Sequence, residues 1–402
     1  MKRAIIVVID SMGAGAMPDA HEYSDLATCN TLGNVAKFNN GLNVPTLEKM
    51  GLGNITEVMG VAKEDKPIAS HGIMMEVSKG KDTTTGHWEI AGLTLEEAFR
   101  TYPDGFPSEL NEKFIKETGC GGILANIPAS GTAVISDFGE EHARTKYPII
   151  YTSADSVYQI ACHVDVIPLE TLYKWCEIAR KLLDEKDYNV SRVIARPFTG
   201  TSGNYKRLSA DRRDYSVPPF EPTILTKVEE AGGYVIGIGK IEDIFVKCGV
   251  THAIHTGTNK EGIEITLKAL NKTLNLNEIA IKEVAASAEK QIIFTNLVDT
   301  DMLFGHRNDP KGYANAIEEI DAHMPEILKN LSEDDLLIIT ADHGCDPTVP
   351  GTDHTREMVP VLVYNSKLEP KDLGTRKSFA DIAKTVSVWL DTPYECSGTS
   401  LI

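Results

Sequence analysis

Three apolar, β-branched runs in this chain each stop at an acidic residue. Ala4 to Ile9 runs into Asp10, Ile292 to Val298 into Asp299, and Leu336 to Thr340 is closed by Asp342. Runs without polar alternation are buried on both faces, the situation of parallel strands covered by helices. Between the last two runs lies Pro310 to Leu331, where Tyr313, Ile317, Ile320, Met324 and Ile327 recur at helical spacing behind a proline suited to a first helical turn. That pattern reads as strand, helix, strand. Val359 to Tyr364 supplies another strand, and Ser378 is placed to cap a closing helix with Phe379, Ile382, Val386 and Trp389 on one face. These runs predict an α/β core of mostly parallel sheet with helices on both faces. In such a sheet the strand ends converge on one crevice, so acidic strand ends have a geometric reason to meet.

The middle of the chain reads differently. From about 98 to 218 come the loop-rich PDGFPSEL, short strands such as Pro148 to Tyr151 and Arg192 to Ala195, and the polar RLSADRRDYSVPPF. We expect a smaller α/β cap over 98–218, inserted into a core of 1–97 and 219–402, with Pro218 and Pro219 marking the return because tandem prolines cannot continue a sheet. A length of 402 residues suits one large domain with an insertion. Hydrophobic residues at 42% and charged residues at 24% put the chain among globular proteins. No apolar run reaches the roughly 18 residues that span a bilayer. The start, MKRAIIVVIDSMG, lacks a cleavage site and is interrupted by Asp10, so we expect a cytoplasmic protein. A net charge of -18 argues against nucleic acid or an anionic membrane as partner. The 7 cysteines are scattered, with no Cys-x-x-Cys, and are expected to be reduced thiols.

Hard and borderline metal ligands gather near the strand ends: Asp10, then Asp301 and His306 in DTDMLFGH, Asp342 and His343 in TADHG, and His354 in GTDHTRE. Carboxylates with imidazoles suit Mn²⁺, Zn²⁺ or Mg²⁺, and this set is large enough for two ions with open positions. Alone, each Asp is a turn or cap residue and each His a hydrogen-bonded one; the constellation carries the signal. Two ions about 4 Å apart polarise a phosphoryl group and activate a hydroxyl. The segment GKDTTTGHWEIAG offers Thr83, Thr84 and Thr85 ahead of a helix. The competing role for a threonine there is the helix N-cap. Gly13-Ala14-Gly15 begins like a dinucleotide fingerprint but has Pro18 where the third glycine belongs. His87, His252 and His255 are expected to be structural, with His87 close enough to the threonines to support a ligand.

The segments VVIDSMGAGAMPDA, GKDTTTGHWE, YTSADSV, RVIARPF, DTDMLFGHR, TADHG and PGTDHTRE, in this order across nearly the whole chain, resemble the phosphopentomutase family of the alkaline phosphatase superfamily. TADHG recurs across the superfamily; KDTTTGHWE and YTSADSV are more specific. The resemblance implies an alkaline-phosphatase-like core and a phosphorylated threonine directly after Lys-Asp, which is Thr83. It implies one Mn²⁺ held by Asp10, Asp342 and His343 and another held by Asp301, His306 and His354. Asp299 is a weaker candidate, and Asp353 has no assigned role. Ser153 and Asp155 are expected to meet the sugar, and Arg192, Arg207 and Lys240 the distal phosphate, with Arg196 or Arg213 as alternative cations. The reaction implied moves phosphate between carbons 1 and 5 of ribose or deoxyribose through a 1,5-bisphosphate, with sugar bisphosphate as activator and pentose phosphates as small-molecule partners. Rival readings are a metal-dependent phosphatase or phosphodiesterase, a phosphoglycerate mutase, which usually carries a serine nucleophile, and a non-catalytic metal-binding protein with closed coordination spheres.

Overall fold

The computed structural model describes residues 1–153, 156–185, 188–284 and 288–402. The chain divides into two compact units, residues 1–97 with 218–402 (unit 1) and 98–217 (unit 2). Its strands, in chain order among the described residues, are β1 (Lys2–Ile9), β2 (Ser70–Met74), β3 (Leu124–Pro128), β4 (Ile149–Thr152), β5 (Val157–His163), β6 (Arg192–Thr199), β7 (Lys206–Arg207), β8 (Arg213–Ser216), β9 (Tyr234–Ile238), β10 (His252–Ile254), β11 (Lys290–Leu297), β12 (Asp335–Thr340), β13 (Val359–Tyr364) and β14 (Asp372–Arg376).

Unit 1 is built on an 8-stranded sheet in the order β10-β9-β11-β1-β12-β13-β2-β14. The apolar run of β1 lies at its centre, parallel to β11 on one side and β12 on the other, which explains burial of every residue after Lys2. Register matters for the site: Ile9 lies opposite Leu297 and Val8 opposite Thr340. The chain therefore leaves all three strands at one edge, and Asp10, Asp301 and Asp342 follow from there. β13 is antiparallel to both of its neighbours, so the sheet is mixed towards that side. The helix Pro310–Lys329 starts on its proline and packs Tyr313, Ile317, Ile320, Met324 and Ile327 inward. Ser378 stands one residue ahead of the expected capping position: Phe379 is the N-cap of the helix Ala380–Trp389, while the Ser378 hydroxyl donates to Glu89 and accepts from the Ala380 amide.

Unit 2 is a 6-stranded sheet in the order β3-β4-β5-β6-β7, with β8 also pairing β6. The helix Gly131–Thr145 covers part of one face, where Val134 and Ile135 meet Ile149, Tyr151 and Phe198. The helices Ser108–Thr118 and Leu169–Asp184 cover the other, where Phe114, Leu172 and Cys176 meet Ile150, Tyr158 and Val193. All seven cysteines are free thiols. No helix among the described residues is long and apolar enough to cross a membrane.

Candidate active site

The ligand atoms of Asp10, Asp342 and His343 lie within 4.8 Å of one another, as do those of Asp301, His343 and His354. His343 Nε2 is 3.2 Å from Asp342 Oδ2 and 3.6 Å from Asp10 Oδ1. On the other side His306 Nε2 is 3.3 Å from Asp301 Oδ2, and His354 Nε2 is 3.4 Å from Asp301 Oδ1 and 3.1 Å from His306 Nε2. All six residues expected as ligands thus meet in one cluster.

Local structure explains how. After β11 the chain enters a π-helical turn, Thr300–Phe304, followed by a 3₁₀ turn, Gly305–Arg307. The wider π-turn brings residues five apart onto one face, which aligns Asp301 with His306. Asp299 lies before this turn and faces elsewhere, accepting the Asn259 amide at 2.8 Å. Thr300 Oγ1 donates to the Asp10 carbonyl at 2.6 Å, tying the π-turn to the end of β1. The two histidines are fixed from behind: His343 Nδ1 donates to the Gly344 carbonyl at 3.0 Å and His306 Nδ1 to the Thr352 carbonyl at 2.6 Å. A ring whose Nδ1 carries the donated proton presents its Nε2 lone pair to a metal.

Asp10 Oδ1, Asp301 Oδ1 and Asp342 Oδ2 are buried and accept no hydrogen bond. Buried carboxylate oxygens without donors are costly unless a cation faces them. The charges show the same demand. Burial, reinforced by the charges of Asp342 and Asp301, pushes the Asp10 carboxyl up to about 6. Burial opposes a charged His343, but Asp342 and Asp10 outweigh it and hold the ring well above its ordinary value. The hydrogen bond to Asp301 pushes His306 up to about 9. Divalent cations satisfy that demand with these oxygen and nitrogen donors.

The threonine run resolves into distinct roles. Asp82, not a threonine, is the N-cap of the helix Thr83–Ile90; it accepts the Thr84 and Thr85 amides and the Thr85 hydroxyl at 2.6 Å. Thr83 is left with its hydroxyl turned to the cluster, Oγ1 lying 3.2 Å from His343 Nε2. Gly86 permits this approach, because a methyl there would sit 2.1 Å from the Asp342 carbonyl oxygen. His87 Nδ1 lies 2.9 Å from the Thr83 carbonyl oxygen and 3.2 Å from Asp342 Oδ2, so it links the threonine segment to Asp342.

The profile of the Metalloenzyme superfamily matches residues 2–393. A protein named phosphopentomutase from Caldanaerobacter subterraneus subsp. tengcongensis is 52% identical over 403 residues, covering 100% of this chain and 98% of its own. One of the same name from Anaeromyxobacter dehalogenans is 50% identical over 401 residues, covering 100% and 97%. The chain belongs to the phosphopentomutase family. Among solved structures, the PH0037 protein from Pyrococcus horikoshii has a TM-score of 0.50 at 14% identity over 98% of both chains, a likeness of fold alone.

The residues that the phosphopentomutase resemblance assigns to sugar and distal phosphate fall into both units. Lys240 belongs to unit 1, where its charge acts on Asp10. Ser153, Arg192 and Arg207 belong to unit 2; Asp155 lies outside the described residues. Arg192 is 3.7 Å from Asp214, which also holds Arg212 at 2.6 Å. Arg196 donates to Gln159, and Arg213 lies over the Tyr173 ring, so the latter is engaged elsewhere. His252 bonds to Thr251, and His255 pairs with Glu242 away from the cluster.

Sequence reasoning missed two residues. Arg356 is 1% exposed; it bonds to Asp19 and Glu76 and to the carbonyls of Ser78 and Gly80, bracing the segment that leads into Thr83. Its signal was its place two residues after His354. Cys345 Sγ lies within 4.8 Å of ligand atoms of Asp301 and His306, and burial pushes its thiol up.

Proposed function

We propose that this chain is a phosphopentomutase that moves a phosphoryl group between carbon 1 and carbon 5 of ribose or 2-deoxyribose through a phosphorylated Thr83. The observation that carries the reading is the Thr83 hydroxyl, 3.2 Å from His343 Nε2 and released from capping duty by Asp82. Asp10, Asp342 and His343 would hold one divalent cation, and Asp301, His306 and His354 a second, with Mn²⁺ the ion we assign. Such ions supply charge neutralisation at phosphoryl oxygens and lower the pKa of a nearby hydroxyl.

The residues of the chain do the positioning. The Gly344 and Thr352 carbonyls fix the faces of His343 and His306. Arg356 and Asp82 hold the segment on which Thr83 sits. The phosphoryl group leaves Thr83 Oγ1 for the free hydroxyl of a pentose monophosphate, and the resulting 1,5-bisphosphate returns its other phosphoryl group to Thr83. The phosphoenzyme is regenerated, so a sugar bisphosphate acts as activator. Ser153 and Asp155 are assigned to the sugar. Arg192, Arg207 and Lys240 are assigned to the phosphate that stays in place, a second anion site that a phosphatase does not need. We take residues 98–218 as the cap that keeps water from the phosphothreonine, and place the enzyme in the cytoplasm with pentose phosphates as its partners.

The test is to supply Mn²⁺ and ribose 5-phosphate and follow ribose 1-phosphate against free phosphate, with peptide mapping of the phosphoenzyme. Ribose 1-phosphate should accumulate with little phosphate release, and the label should sit on Thr83. Phosphate release as the main outcome, label on Thr84 or Thr85, or full activity in Thr83→Ala would sink the reading.

A further inference from the structure

We propose that Asn296, together with the Ser11 amide, selects the cation at Asp10, Asp342 and His343 by holding one oxygen of each carboxylate out of its reach. The inference rests on the two-cation reading above and deepens it: it names the groups that admit an ion content with few protein oxygens, such as Mn²⁺, and keep out Ca²⁺.

Asn296 lies on β11 opposite Val8, is 1% exposed, and donates from Nδ2 to Asp10 Oδ2 at 3.0 Å. Its partner orients the carboxamide, because a carbonyl oxygen turned to Asp10 Oδ2 would meet a second acceptor. That orientation leaves Asn296 Oδ1 buried without a donor. A leucine would fill the same space with no orphaned oxygen, so packing gives no reason for an asparagine here. The backbone does not need it either: the Asp10 amide donates to the Leu297 carbonyl at 3.0 Å, and the Thr300 hydroxyl to the Asp10 carbonyl at 2.6 Å. What Asn296 governs is the carboxylate alone.

Asp342 is held in the same way. The Ser11 amide donates to Asp342 Oδ1 at 3.1 Å. Ser11 has φ 66°, a left-handed conformation unfavourable for serine, and its hydroxyl lies 2.9 Å from that of Tyr313, which ties it to the neighbouring helix. The remaining oxygens are Asp10 Oδ1 and Asp342 Oδ2, both buried and without a hydrogen bond. Both face His343 Nε2, at 3.6 and 3.2 Å. His87 Nδ1 also lies 3.2 Å from Asp342 Oδ2, but its proton goes to the Thr83 carbonyl at 2.9 Å.

Each carboxylate therefore offers the site a single oxygen. Ca²⁺ collects roughly six to eight oxygens and often takes both from one carboxylate. Two single oxygens and an imidazole leave it short, whereas a smaller ion that also accepts nitrogen is satisfied. The second site, with one carboxylate and two imidazoles, is poor for Ca²⁺ by composition and serves as an internal control.

The experiment titrates Mn²⁺ into metal-stripped, full-length protein, reads free Mn²⁺ by electron paramagnetic resonance, and then displaces the bound ions with Ca²⁺ at fixed free Mn²⁺. Wild type should bind two Mn²⁺ and hold both. In Asn296→Leu and Asn296→Ala, Ca²⁺ should displace one of the two at about a tenth of the wild-type concentration or below, with the other unaffected. A merely structural loss would weaken Mn²⁺ and Ca²⁺ alike and leave their affinity ratio where it was. An unchanged ratio in whichever variant keeps the wild-type circular dichroism spectrum overturns the role of Asn296; two Mn²⁺ in the wild type would then leave the two-cation reading standing. Fewer than two Mn²⁺ in the wild type, with the ratio shifted in the variants, would sink that reading and keep the selection by Asn296.

Discussion

Both units bury side-chain oxygens that find no hydrogen bond. In unit 1 they include Asp10 Oδ1, Asp301 Oδ1 and Asp342 Oδ2; in unit 2 they include the hydroxyls of Tyr158, Tyr188 and Tyr215. The first set is charged and converges on two histidine-lined sites. The phenols are neutral, and Tyr158 is packed among Phe106 and Phe114 in the apolar layer. An orphaned oxygen therefore signals a ligand only where several carry like charge into one space. A lone buried phenol in a hydrocarbon layer is a tolerated imperfection.

The contrast breaks first at Asp342. Asp342→Asn should empty or weaken one metal site, visible as lowered metal stoichiometry, and reduce kcat/KM about a thousandfold, equivalent to about 4 kcal/mol of barrier. Unchanged stoichiometry and turnover would refute a two-metal centre here. A smaller effect is expected at Arg356, whose partner Glu76 is fully buried and pushed well above its ordinary value by burial despite Arg356. Arg356→Met should destabilise the fold by about 3 kcal/mol, and adding Glu76→Gln should recover part of it. Equal Tm for wild type and single variant would remove Arg356 from its bracing role.

A pH measurement sharpens the picture of unit 1. Burial pushes the Glu357 carboxyl up to about 7 from 4.5, against hydrogen bonds from Thr355 and Thr31. The folded protein then binds more protons than the unfolded chain between those values, so stability falls as pH rises from 4.5 to about 7 and levels off above. Glu357→Gln should remove about 3 kcal/mol of that fall between pH 4.5 and 7 in urea titrations. An identical slope in the variant would place the proton elsewhere. The smallest effect belongs to unit 2: Tyr158→Phe should leave mutase turnover unaltered and stability the same or higher by up to about 1 kcal/mol. A loss of turnover would show that its hydroxyl is more than a packing defect.

The core was legible because β1, β11 and β12 are buried on both faces, and continuous apolar runs are what such strands require. The clustering of the six candidate ligands was legible because hard ligands at strand ends have little else to do in number. Three features were not. Which residue caps the helix at Thr83 depends on whether Asp82 turns inward, and both residue types cap well. The geometry of Asp301 needs a π-turn, which leaves no mark in apolar spacing. The arginines of unit 2 look alike in sequence, and only their partners, Asp214, Gln159 or the Tyr173 ring, separate them.

The π-turn Thr300–Phe304 has a consequence for how this segment can vary among descendants of the gene. Four residues separate Asp301 from His306, and the bulge accommodates that count. Losing one codon would let the turn relax to an ordinary helix and swing the imidazole by roughly a quarter of a circle. Substitutions at the intervening Met302, which is exposed, alter only what solvent meets. Position 302 should therefore drift in letter, while the count between Asp301 and His306 is held.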